Sequence, residues 1–153
     1  MKKQFALLTI VIMLVALSAC GKDGYPAMPA DATGFPCGTY ADAQGDTEYA
    51  TIEYEGRTYL LYGTANSNFH PSKDVDACIG YVIEDSDDST PQNNSNTDAR
   101  IYTLTVDPDH NYLLQYAAGA FMEQPSFLRA LDTRQSNITT PDYMDSLEYD
   151  IWE

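Results

Sequence analysis

From residue 49 onward, tyrosines and branched residues alternate with polar ones in short runs, and that period of two predicts β-strands. Runs 49–54 and 58–62 flank Glu55-Gly56-Arg57, a spacing that predicts a hairpin with glycine supplying the turn. Residues 66–76 are polar and contain Pro71, which predicts a loop or a single helical turn. Residues 78–83 form a short apolar run with the length and β-branching of a strand. Tyr102, Leu104 and Val106 alternate with Ile101, Thr103 and Thr105. Asp107-Pro108-Asp109-His110-Asn111 follows as a turn, and Tyr112, Leu114 and Tyr116 form the return strand. Residues 126–133 fit a helical face through Phe127, Leu128 and Leu131, but their length favours a strand. Thr140-Pro141-Asp142 reads as a helix start (capping hydroxyl, proline, then an acid) and predicts a short helix to about residue 147. The aromatic-rich end, 149–153, predicts a docked terminus, and no internal repeat is visible. The pattern as a whole predicts a mainly β fold, a small antiparallel barrel or sandwich with one short C-terminal helix.

Two stretches fall outside this alternation. Residues 84–99 are almost wholly polar and predict a mobile loop. Residues 20–38 carry Pro26, Pro29, Pro36 and several glycines with little periodicity, which predicts a flexible tether ahead of a domain over 39–153. Before the tether, Lys2 and Lys3 precede an apolar run over 5–17. That run falls short of the roughly 20 residues a membrane span needs. Its end, Leu17-Ser18-Ala19-Cys20, resembles the lipobox of bacterial lipoproteins. The resemblance implies that residues 1–19 are a signal peptide removed before Cys20, whose sulfur carries a diacylglycerol. An ordinary secretory signal is the rival reading. Two acyl chains hold a protein stably to a membrane where one does so only reversibly. The protein is therefore expected on the extracytoplasmic face of the cell membrane, with fatty acid such as palmitate on Cys20.

Charge narrows the partners. Cleavage before Cys20 leaves 134 of 153 residues and removes Lys2 and Lys3 but no acid, so the net charge moves from −15 to −17. A field of that sign repels nucleic acid and anionic head groups. Its plain meaning is a solvated acidic surface; its sharper one is a cation or a basic partner. The twelve tyrosines suit half-buried strand faces. With Cys20 assigned to lipid, Cys37 and Cys78 remain, an even pair in an oxidising compartment that predicts a disulfide. Closing that loop would contribute roughly 4 kcal/mol. The alternative is two buried thiols.

Candidate chemistry is sparse. Both histidines, His70 and His110, sit in polar loops and read as solvated side chains, and neither a Gly-x-Ser-x-Gly elbow nor a Ser-x-x-Lys pair is present. Asp85, Asp87 and Asp88 form one acidic cluster, and Asp107 and Asp109 a second. Either could hold a weak calcium ion, although EF-hand spacing fails at Thr90 and Asn96. No other cofactor is indicated. Paired carboxylates for glycoside hydrolysis cannot be nominated from 23 acids.

Tyr62-Gly63-Thr64, Cys78-Ile79-Gly80-Tyr81-Val82, Arg100-Ile101-Tyr102-Thr103-Leu104, Asp107-Pro108-Asp109-His110-Asn111-Tyr112-Leu113 and the closing 143–152 carry a further resemblance. In these segments the chain is similar to small, uncharacterised lipoproteins of gut-type Gram-positive bacteria. That resemblance implies a single-membrane cell and supplies no catalytic residues. The function expected is a lipid-anchored binding or interaction module at the cell surface, with a surface ligand or protein as partner and no chemistry of its own. A small hydrolase acting on wall or glycan material and an assembly partner of a membrane complex are the alternatives.

Overall fold

The computed structural model describes residues 24–43, 45, 47–83, 95–117 and 124–153, with backbone only for 95–98. In chain order the elements are β1 (Thr33–Pro36), β2 (Gly38–Ala41), β3 (Glu48–Tyr54), β4 (Arg57–Ala65), the one-turn helix α1 (Pro71–Asp74), β5 (Val75–Ile83), β6 (Ser95–Leu104), β7 (Tyr112–Ala117), β8 (Ser126–Ala130) and β9 (Met144–Ser146). Two 3-10 turns, Leu131–Thr133 and Asp150–Trp152, complete the list. The fold is mainly β, as the alternation predicts.

The strands join in the order β1-β5-β6-β7-β8-β4-β3-β2, with β9 on β4. Every pairing is antiparallel except β1 with β5. The first and last strands of this path are separated in the chain by Cys37 alone, so the sheet has to curl until its edges meet. The result is a nearly closed barrel. Tyr54-Glu55-Gly56-Arg57 makes the tightest hairpin. Glu55 and Gly56 have φ of 51° and 74°, the pair of left-handed residues a two-residue type I′ turn requires. Gly80 allows the parallel closure. A Cβ there would collide with the Thr33 carbonyl and the Phe35 ring, both on β1.

Both faces of the sheet are buried, which separates this domain from a simple half-solvated sheet. The inner face carries Phe35, Ile52, Tyr59, Val82, Ile101, Leu113, Leu128 and Ala130. The outer face of β4 to β8 carries Tyr62, Cys78, Tyr102, Tyr112, Leu114 and Phe127. It is covered by Tyr25 and Met28 from the N-terminal segment, by Phe69, and by Ile138, Tyr143, Met144 and Trp152 from the C-terminal one. This second layer takes six of the twelve tyrosines. The rings contact one another across it: Tyr25 stacks on Tyr116 at 4.3 Å, and Tyr62 meets Tyr112 at 5.3 Å.

Four expectations are corrected. The tether over 20–38 does not extend through residue 25 and beyond, because Tyr25 is buried and Phe35 sits on β1 inside the barrel. The three prolines hid a strand and a covering segment that lack any period. Cys37 and Cys78 are not joined. The Cys37 N–H bonds the Ile83 carbonyl at the far end of β5, five residues from Cys78. That is about 16 Å along a strand, against the 4.4–6.8 Å between Cα atoms that a disulfide tolerates. Cys37 also packs on the inner face and Cys78 on the outer. Finally, the helix start at Thr140 leads into a turn and then β9, while the short C-terminal helix is the 3-10 turn Asp150–Trp152. Pairing overrides local propensity here: Asn66 takes both the Tyr143 and Asp142 carbonyls, and β9 lies on the edge of β4 that β3 has left. The loop expected over 84–99 is shorter, since β6 begins at Ser95; 84–94 lie outside the described residues.

Candidate functional site

One end of the barrel is tied shut. The Arg57 guanidinium, at the start of β4, binds Asp132 in two-pronged fashion, Nε to Oδ2 at 2.9 Å and Nη2 to Oδ1 at 2.8 Å. Nη1 donates to the carbonyls of Asp109 and His110, each at 2.9 Å, and Nη2 to Asn111 Oδ1. One side chain thus links the β3–β4 hairpin, the β6–β7 turn and the 3-10 turn after β8. The hydrogen bond from Arg57 holds the Asp132 carboxyl below the usual range. The Tyr59 hydroxyl donates to the His110 carbonyl from inside the barrel at 2.5 Å. Burial pushes its phenol up to about 12, so it stays a neutral donor. His110 itself lies at φ 50° with Nδ1 3.0 Å from Glu55 Oε2.

Above this floor the inner side chains do not meet, and a cavity of about 180 Å³ remains. Ile52, Tyr59, Leu61, Val82, Leu128 and Cys37 give it an apolar wall. It reaches the surface beside Ala50, an exposed residue of its lining. Three polar side chains interrupt the wall, Thr51 of β3, Gln115 of β7 and Ser126 of β8. Gln115 shares the inner parity of Leu113 and Ala117, and Ser126 that of Leu128 and Ala130. The β7–β8 register sets Gln115 and Ser126 directly opposite each other.

No family model, no curated protein and no solved structure matches the chain. The reading of the site therefore rests on its own geometry.

The sequence-predicted residues scatter. Cys20, Asp85, Asp87 and Asp88 lie outside the described residues. Asp107 is buried, and its carboxylate is used within its own turn, accepting from Asn111 Nδ2 at 3.1 Å and the Tyr112 N–H at 2.6 Å. Asp109 is exposed and contributes only its carbonyl, to Arg57. Among the described residues no three His, Cys, Asp or Glu side chains converge as metal ligands. His70 is exposed, and its backbone N–H is capped by the buried Asp74 carboxylate at 2.8 Å. Burial raises the Cys78 thiol, which points at the Gly80 carbonyl. Of the predicted residues, only Cys37 lines the cavity.

Gln115, Ser126 and Arg129 are what sequence reasoning missed. Reading 112–116 as one buried face hid the fact that Leu113 and Gln115 face a second core. Arg129 is the outer counterpart. It is buried, and its guanidinium carbon lies 5.4 Å from the Tyr62 ring centre and 5.2 Å from that of Trp152. Its nitrogens donate to Thr133 Oγ1 at 2.9 Å and the Thr133 carbonyl at 2.7 Å. Among the described residues no carboxylate pairs with it, and aromatic faces and hydrogen-bond acceptors hold the guanidinium instead. It fastens the C-terminal layer to the barrel.

Proposed function

We propose that this protein is a lipoprotein, anchored outside the cytoplasm through diacylglycerol on Cys20, whose barrel is a binding module for a small, largely apolar molecule. The observation that carries the binding reading is the cavity, with apolar walls, a tied floor and a surface opening. Concave, mostly apolar sites with few polar groups are the usual form of small-ligand sites. At about 180 Å³ it is comparable with the engineered 150 Å³ apolar cavity that admits benzene. The lipobox resemblance supports the location, and the acidic surface keeps nucleic acid out of the partner list.

Ligand-observed NMR with a panel of one-ring compounds tests the binding reading. Saturation transfer is expected in the native protein and is expected to vanish in Leu128→Trp, which fills the cavity. Transfer that persists in a folded Leu128→Trp variant places the binding elsewhere and sinks the reading. Fatty-acid labelling tests the anchor, with label expected on the native protein and lost from Cys20→Ala.

A further inference from the structure

Ser126 is 5% exposed and lines the cavity, yet its hydroxyl makes no hydrogen bond to any described residue. The Gln115 amide, on the same inner face and directly across the β7–β8 register, makes none either. A polar side chain that lines a cavity without a protein partner is free to bond a molecule held there. Ser126 is buried and Gln115 half-buried, and the two stand directly opposite each other in a cavity whose other polar side chain is Thr51. Such a pair is what a recognition site for one polar group looks like. Gln115 offers an amide donor and an acceptor, and Ser126 a rotatable hydroxyl that does either. No charged side chain lines the cavity. An ionised carboxylate or ammonium would have to shed its water there without a counter-charge, a cost far above what two neutral bonds return.

We infer that the cavity selects neutral one-ring or similarly sized molecules bearing a single group that both donates and accepts a hydrogen bond, a primary carboxamide being the best match, read by Gln115 and Ser126. This inference rests on the cavity being the binding site and adds the class of ligand. Gln115 and Ser126 act as specificity residues, and the apolar wall holds the ring.

Four probes of nearly equal size separate the outcomes: benzamide, toluene, benzoate and benzylammonium, titrated against the native protein by NMR and calorimetry. Benzamide is expected to bind about tenfold more tightly than toluene, the return from two neutral hydrogen bonds. Both ions are expected to bind more weakly than toluene. In Gln115→Met and Ser126→Ala, checked for native folding by their amide spectra, the preference for benzamide over toluene should fall to within about twofold. Equal affinity for benzamide and toluene in the native protein would overturn the selection while leaving the binding reading intact. A preference that survives both substitutions would do the same. Binding of neither toluene nor benzamide would remove the binding reading as well.

Discussion

Replacing Arg57 should open the tied end of the barrel, and its cost can be built from the bonds. The ion pair with Asp132 has good two-pronged geometry, but the carboxylate side chain is 60% exposed against 22% for Arg57. Water screens such a pair, which is worth about 1 kcal/mol at most. The bonds to the Asp109 and His110 carbonyls are charge-assisted, the first exposed and the second part-buried, at about 1 kcal/mol each after exchange with water. The His110 carbonyl keeps the Tyr59 hydroxyl when Arg57 is removed, which trims its share. The total is about 2–3 kcal/mol for Arg57→Ala, a fall of about 10 °C in Tm for a domain of this size. Arg57→Lys should cost about half as much, since an ammonium cannot reach the carboxylate and the turn carbonyls together. Urea unfolding at 0.1 and 1 M NaCl is the assay. Salt should erase only the Asp132 share, leaving about 2 kcal/mol of the Arg57→Ala effect. An effect that salt abolishes, or one below about 1 kcal/mol in low salt, would refute the view that this residue ties the three segments together.

Other substitutions test neighbouring steps. The Asp132 carboxyl is depressed by Arg57, so its stabilisation is complete above its unfolded pKa, about 4, and is lost as pH falls through the lower folded value. The stability gap between native protein and Asp132→Asn should therefore close on acidification below about pH 4. Tyr59 is the opposite case: its folded pKa of about 12 exceeds the unfolded 10, so its contribution holds below pH 10 and drains away by pH 12, on the order of 2–3 kcal/mol in all. Tyr59→Phe should cost about 1 kcal/mol at pH 7 and flatten that alkaline loss in urea melts. Tyr143→Phe should leave stability unchanged or raise it by up to about 1 kcal/mol, because its buried hydroxyl has no hydrogen-bond partner among the described residues. Gly80→Ala should cost about 3 kcal/mol, since the new methyl meets backbone on β1 that cannot step aside.

The strands were legible wherever a period of two met a turn residue with a mechanism. The Glu55-Gly56 hairpin and the β6–β7 turn were readable because glycine's left-handed φ and the side chain of Asp107 act within a few residues. Non-local structure was not readable. β1 owes its place to Gly80, forty-odd residues on, and β9 to the end of the β3 pairing at Leu60, which leaves that edge of β4 open. The same limit hid the site. Gln115 looked like the solvent side of a strand because nothing local shows that a curled sheet gives that side a core of its own. The even cysteine count misled for a related reason: spacing in sequence carries no information about which face of β5 each thiol meets.

The corrected start of the domain changes what the proposed anchor would do. A tether over 20–38 could hold the barrel some 60 Å from the lipid, whereas packing that begins at Tyr25 leaves five chain steps from Cys20, at most about 18 Å. On the proposed anchoring, the domain works within about two Debye lengths of the head groups. A net charge of −17 at that distance repels anionic solutes and anionic lipid alike. The cavity independently disfavours ions, because its wall offers no counter-charge. Neutral, weakly polar molecules escape both penalties, and they also concentrate at a membrane surface. On the proposed anchoring, the short reach and the acidic exterior both follow from processing at Cys20, and they favour the same kind of ligand as the proposed Gln115–Ser126 pair.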